Sequence, residues 1–348
     1  MFLVSVATAE PIRVALYHTE LERKGPGLLL RDILKGGDPQ VLASIQVLKA
    51  ADADVVVLGG FDFDLNLMAL RAFAKRVGGY PHQFALPSNR GLLTGQDLNA
   101  DGKVSLPDDA VGYAAFAGQG GLAILSRWPI DLGAVQDLSN TRWLDLAGNI
   151  APEGTDPEQL LSTTAHWIVP MSTPSWPTVQ IMVWHATPPV FDGPEDRNGR
   201  RNHDEAFVWQ GILDGRISGP FILTGLANLD PADGDGRPEA LNALLTDPRI
   251  TDPKPKSEMG VVTSSRDGGK NLFQNGDPAL DTADWSDDGR GPGNLRVSYL
   301  LPSVDLTVVG SGVLWPDPET SLGRDVAKAS RHRLIWVDLG CDGCGDGR

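Results

Sequence analysis

Long apolar runs are missing. No segment approaches the roughly 18 consecutive apolar residues of a membrane-spanning helix, so no membrane span is expected. Cysteine is nearly absent: Cys341 and Cys344 are the two, both in a glycine-rich tail, residues 341–348. A core without cysteine uses no disulfide. One Cys-x-x-Cys pair also falls short of a four-ligand zinc site, so the tail reads as an appendage with incidental cysteines. Positive charge is scarce: 30 Lys and Arg face 45 Asp and Glu, a net −15. Such a surface repels polyanions, which argues against strong nucleic-acid binding and against an anionic membrane surface as partner.

What is present is a globular composition. The 348 residues are 41% apolar and 22% charged, enough for a large core. The 40 glycines and 26 prolines imply many loops and exclude a helical bundle. No repeat or linker divides the chain, so residues 12–340 are expected to form one domain, acting as a monomer. Residues 1–11 are a separate matter. Phe2 to Ala9 is a short apolar stretch ending in Ala7-x-Ala9, which looks like a signal-peptidase site and suggests an exported, periplasmic or secreted protein. A basic leader is lacking, and a first strand ending in small residues fits the same letters.

Strand patterns recur at Ile12–Tyr17, Asp54–Leu58, Leu122–Leu125, Thr163–Val169, Val179–Trp184, Phe221–Thr224, Leu295–Leu300, Leu306–Val309 and Arg333–Leu339. The Asp54–Leu58 run is continuously apolar, the mark of a strand buried on both faces. Helices are predicted over Asp38–Ala50, with Asp38 as N-cap and Pro39 behind it, over Leu65–Val77, over Pro238–Leu245, and from an Asn202 cap with Glu205 as its capping-box partner. Many strands flanked by few helices make an α+β layered fold.

Several stretches carry chemistry. They are Asp54-Val-Val-Val-Leu58 followed by Phe61-Asp62-Phe63-Asp64, Leu125-Ser126-Arg127-Trp128-Pro129, the long run from Thr187 to Glu205, Asn228-Leu-Asp-Pro231, Pro292-Gly-Asn-Leu-Arg-Val297 and His332-Arg-Leu-Ile-Trp-Val-Asp338. In order and spacing they resemble the endonuclease/exonuclease/phosphatase superfamily, the DNase I-like fold, and most closely its secreted, phytase-like branch. The resemblance implies a four-layer α/β/β/α sandwich with the site at one end of the paired sheets. It also implies phosphoester hydrolysis with Mg²⁺ held by carboxylates, two histidines and an asparagine facing the phosphoryl group, and an aspartate activating water.

Against that pattern, His185, Asn228 and His332 match the family's phosphate-facing positions. His18 stands where the family has asparagine. Gly60, Leu226, Ser298 and Arg331 stand where it has its four acidic residues. The resemblance therefore implies a site that keeps its neutral groups and has lost its carboxylates, so Mg²⁺ is expected of the family but not of this chain. Two readings follow. One is a pseudoenzyme with a metal-free anion-binding or scaffold role: either Arg331 turns inward and supplies the cationic charge, with Arg127 adding to it or serving as a structural strut, or Arg331 turns out to solvent and Leu226 fills the hole. The other is an active phosphoesterase with relocated ligands, Asp62 and Asp230, each two residues beyond a family position and so on the same strand face.

A second constellation, Asp97, Asn99, Asp101, Gly102, Ser105 and Asp108, has the spacing of an EF-hand loop and suggests Ca²⁺, with Asp108 shorter than the usual glutamate. No entering helix precedes it, and a polar turn fits equally. Asp233-Gly-Asp235-Gly is a weaker version. The basic run Asp196–His203 either lines a pocket mouth or knits its own loop.

Overall fold

The protein is described here from a computed structural model, which covers residues 10–98, 101–173, 176–215, 217–287 and 290–341. The chain opens on β1 (Ile12–Leu21), then α1 (Leu28–Lys35), α2 (Pro39–Ala51), β2 (Val55–Phe61), α3 (Met68–Val77), β3 (His82–Phe84) and β4 (Gly121–Ser126). Next come β5 (Gln136–Asp137), β6 (Ala165–Met171), β7 (Val179–His185), α4 (Arg197–Gly215), β8 (Phe221–Leu226), α5 (Glu239–Leu245) and α6 (Glu258–Asp267). The last elements are β9 (Ala283–Asp284), β10 (Asn294–Leu295), β11 (Ser298–Pro302), β12 (Thr307–Leu314), α7 (Ser321–Ala329) and β13 (Leu334–Gly340).

Two mixed sheets result. One runs β12-β13-β1-β2-β4-β3, the other β11-β8-β7-β6-β5, and β9 and β10 form a short separate pair. Strand periodicity explains the layering. Val14 and Leu16 of β1, with Val55 and Val57 of β2, meet Trp167, Val183 and Ile222 in the core between the sheets. The alternate residues Ala15, Tyr17, Val56 and Leu58 pack outward against Leu29, Val41, Phe73 and Val326 of α1, α2, α3 and α7. Beyond the second sheet, Met182, Trp184 and Leu223 pack on Trp209, Ile212 and Leu241 of α4 and α5. Successive side chains point to opposite faces, so a continuously apolar run feeds two cores at once. The order is helix, sheet, sheet, helix, the α+β sandwich expected from the sequence.

Asp38 caps α2 as predicted: the Val41 N–H donates to its carboxylate at 2.8 Å. The Asn202 cap is corrected. Helix α4 begins five residues earlier, and Asn202 lies inside it, donating to the carbonyls of Thr187 and Ala227. Glu205 accepts from the Thr163 and Thr187 backbone amides instead of capping. Helices α1, α6 and α7 escaped the reading because each is short and offers only a few buried side chains (Val326 and Ala329, with Gly323, in α7).

Topology gathers one end of the sandwich. β1 and β2 run parallel, as do β7 and β8, so their C-terminal ends lie together. β11 and β13 are antiparallel to these neighbours and contribute their N-terminal ends to the same place.

Candidate functional site

That shared end carries His18, Gly59 and Gly60, His185, Leu226, Ser298, and Arg331 with His332. His18 pairs with Gly59 in one sheet. In the other, Leu226 stands beside both His185 and Ser298. Three of the retained or altered positions are histidines, and they meet. The His18 ring lies 5.2 Å from His185, edge-on, and 4.4 Å from His332, tilted by 30°. Trp285 closes the far side, edge-on to His332 at 5.3 Å. Ser330 joins two of them: its hydroxyl donates to the His18 carbonyl at 2.8 Å and accepts from the His332 N–H at 3.0 Å.

All three rings are buried. Burial disfavours the imidazolium form and pushes His18 down to about 4. It holds His185 and His332 well below the usual histidine range, with His18 adding to the effect on both. The cluster is neutral at pH 7. Asn228 is held with its backbone at φ 51, and its side-chain amide donates to the Ala186 carbonyl at 2.7 Å, beside His185.

The four positions where the resemblance implies acidic residues each have a structural use. Leu226 is buried among Leu16, Val57 and Val183 in the core between the sheets. A β-carbon on Gly59 would fall 2.1 Å from its Cδ1. Gly60 takes φ 62, and a β-carbon there would meet His18 Cε1 at 2.6 Å and Glu22 Oε2 at 2.7 Å. Ser298 is buried, its N–H donating to Thr282 Oγ1 at 3.1 Å. Added to burial, the Arg331 charge lowers His18 and His332, but its side chain hydrogen-bonds Glu20. Its side chain is 63% exposed and pairs with Glu20, with Nε to Oε1 at 2.8 Å. Burial pushes the Glu20 carboxyl up, but the Arg331 side-chain and backbone hydrogen bonds outweigh it and hold the group at about 2.

Arg127 is a second correction. Strand β4 is antiparallel to β2, so Arg127 stands at the opposite end of the sheet, bonded to Asp54 at 2.8 Å and to Asp52. Gly60 takes a left-handed φ of 62, so strand alternation does not carry over from residue 60 to Asp62. Asp62 instead accepts from the backbone amides of Arg23 at 2.9 Å and Gly120 at 3.0 Å. Burial raises its carboxyl to about 6. Asp230 accepts from the amides of Ala232 at 2.8 Å and Arg296 at 2.7 Å. Both carboxylates are committed to holding loops.

Sequence reasoning missed Glu20, Glu22 and Arg90. The signal was partial: β1 continues past Tyr17 to Leu21, so Glu20 lies in it two residues beyond His18, though with a left-handed φ of 49, and Glu22 follows its end. Glu22 is raised by burial, with the Arg90 charge pulling the other way. Arg90 also lowers His18 and His185, which places its guanidinium within electrostatic reach of the cluster.

Elsewhere, the basic run is structural. Arg201 is buried and donates to the carbonyls of Leu160, Leu161 and Val111. Asp233 binds the amides of Asn275 and Gly276. In the Asp97–Asp108 loop, Asp97 accepts from the amides of Asp101 and Gly102, and neighbouring Asp109 from Leu98 and Ser105. Asn99 and Cys344 lie outside the described residues. No helix among the described residues is long and apolar enough to cross a membrane.

The model of the endonuclease/exonuclease/phosphatase family matches residues 30–332. The chain belongs to that family. Solved structures agree in fold. An endonuclease/exonuclease/phosphatase from Beutenbergia cavernae is 16% identical over 97% of this chain and 73% of its own, with a TM-score of 0.57. A family protein from Leptotrichia buccalis is 13% identical over 94% of this chain and 99% of its own, at 0.51. The human Nocturnin catalytic domain, solved with a bound sulfate, is 15% identical over 97% and 96%, at 0.50. No curated protein matches the chain.

Proposed function

We propose that this family member is catalytically silent toward phosphoesters and serves as a binding or scaffold protein. The observation that carries the reading is Leu226, whose side chain fills the space over Gly59 where a metal-shell oxygen is expected by resemblance. The donors also mismatch Mg²⁺, which demands near-octahedral oxygen ligands. This end offers three neutral imidazoles, an apolar side chain, an Arg331–Glu20 ion pair and a single further carboxylate, Glu22, short of an all-oxygen shell. Asp62 and Asp230 have their oxygens occupied by backbone amides. The anion-binding version of the reading needs a free Arg331, and Glu20 takes that charge up. The likeness to the secreted, phytase-like branch and the Ala7-x-Ala9 pattern support an extracytoplasmic location as part of the same proposal.

The test is a panel of phosphomonoesters and phosphodiesters with Mg²⁺, Mn²⁺ and Ca²⁺. Turnover no greater than a blank is expected, since loss of even one catalytic group costs about 10²-fold or more. EDTA-sensitive turnover that vanishes on Glu22→Gln, Asp62→Ala or Asp230→Ala would establish relocated ligands and end the silent reading.

A further inference from the structure

Four buried atoms able to ligate a metal have no hydrogen-bond partner among the described residues at this end, Nδ1 of His18, Nδ1 of His185, Nδ1 of His332 and Oε2 of Glu22, while Nε of nearby Arg90, a donor only, is also unpartnered. Buried polar groups are nearly always satisfied, so a cluster of orphans asks what satisfies it. The four belong to one place. His18 contacts both other rings, and its Cε1 and Glu22 Oε2 converge on the same empty side-chain position of Gly60, at 2.6 and 2.7 Å.

We propose that His18, His185, His332 and Glu22 bind one borderline divalent transition metal, of the class of Zn²⁺, Co²⁺ or Ni²⁺. Three imidazole nitrogens and one carboxylate oxygen form a four-ligand set of the kind these ions take, whereas hard Mg²⁺ prefers oxygen alone. With metal–nitrogen bonds of roughly 2.0–2.1 Å, two rings sharing a tetrahedral ion lie about 5 Å apart between centroids. His18 and His185 stand at 5.2 Å, edge-on. His332 is closer and flatter to His18, and no three ligand atoms of this set yet lie within 4.8 Å of one another. Loading therefore turns the rings about their terminal torsions, which are soft. The inference stands apart from the silent-enzyme reading, because a bound ion need not turn over substrate.

Among the described residues, the ligand atoms that do meet within 4.8 Å belong to Asp267, Asp284 and Asp287. That trio is an acidic cluster with Asp284 held by Arg333 and Asp287 by Asn271. It serves as the control.

The experiment is to strip the full chain with EDTA, titrate Co²⁺, and read visible absorption and bound metal per chain. One equivalent with the intense bands of a four-coordinate nitrogen-containing site is expected, displaced by Zn²⁺. His185→Gln and Glu22→Gln should each abolish the bands, while Asp284→Asn leaves them unchanged. The unmodified chain alone is decisive if a variant fails to fold. Absence of stoichiometric Co²⁺ or of the bands overturns the proposal, as do bands that persist in both site variants or that disappear with Asp284→Asn. Because the readout is ion binding and not turnover, its failure leaves the silent-enzyme reading intact, and the reverse holds.

Discussion

Leu226 lies against the bare α-carbon of Gly59, its Cδ1 2.1 Å from where a β-carbon would stand. The two residues come from different sheets, so this contact seals the inter-sheet core at the site end. Gly59→Ala alone should cost roughly 1–3 kcal/mol by overpacking, and Leu226→Ala roughly 2–5 kcal/mol by leaving a cavity. Combined, they should cost less than the sum, since each relieves the other. Urea unfolding of the four proteins measures the coupling, and strict additivity would refute the contact.

Placing at position 60 the glutamate that the resemblance implies should fail to create activity. Gly60→Glu must adopt φ 62, costing about 1–2 kcal/mol for a residue with a β-carbon. It also meets His18, Glu22 and the Glu20 backbone nitrogen at 3.0 Å. The expected result is a lower melting temperature with no gain of phosphodiesterase activity. A stable Gly60→Glu with Mg²⁺-dependent turnover would contradict the packing described.

Glu20 pairs with Arg331. If that pairing keeps the guanidinium from anions, Glu20→Gln should show phosphate binding by calorimetry at low ionic strength in EDTA, and the unmodified chain none. Reversal by adding Arg331→Asp is the control. The stability effect has a defined sign. The folded Glu20 pKa of about 2 lies below its ordinary 4.5. Its contribution is present above pH 4.5 and is lost as pH falls toward 2.

The neutral histidines make the fold acid-sensitive in a higher window. His18 and His166 are lowered to about 4 by burial. Above pH 6.5 nothing is lost; as pH falls from 6.5 toward 4, the unfolded chain takes protons the folded chain refuses, and stability drops. Asp62 at about 6, and Glu205 and Asp281 at about 7, act oppositely, favouring the folded state as pH falls through the same range. His18→Gln should remove roughly 1–2 kcal/mol of the loss between pH 7 and 5. Denaturant curves for both proteins at the two pH values check this, and equal losses would place His18 outside the effect.

For the Asp97–Asp108 loop, we propose Ca²⁺ binding on its residue spacing. Millimolar Ca²⁺ should raise the melting temperature through preferential binding to the folded state, and Asp101→Ala should abolish the rise. A melting curve indifferent to Ca²⁺ reduces the loop to the turn that its Asp97 hydrogen bonds already make.

The sequence by itself determined the family, through the order and spacing of its motifs, and the layered α+β class, through local periodicity: Val55 to Leu58 must alternate between two cores wherever the strand lies. It also determined the cap at Asp38, because capping reaches only three residues along the chain. What only the tertiary structure decided is which polar groups are free. Asp62 is claimed by amides of Arg23 and Gly120, Asp230 by that of Arg296, and Arg331 by Glu20, 311 residues away. Arg127 fell at the wrong end because strand direction, not composition, sets which end of a sheet a turn occupies. Asn202 became a bridge between Thr187 and Ala227 once α4 started earlier. Hydrogen-bond partners across such separations leave no periodic trace. Burial makes their pairing obligatory only after the chain has folded.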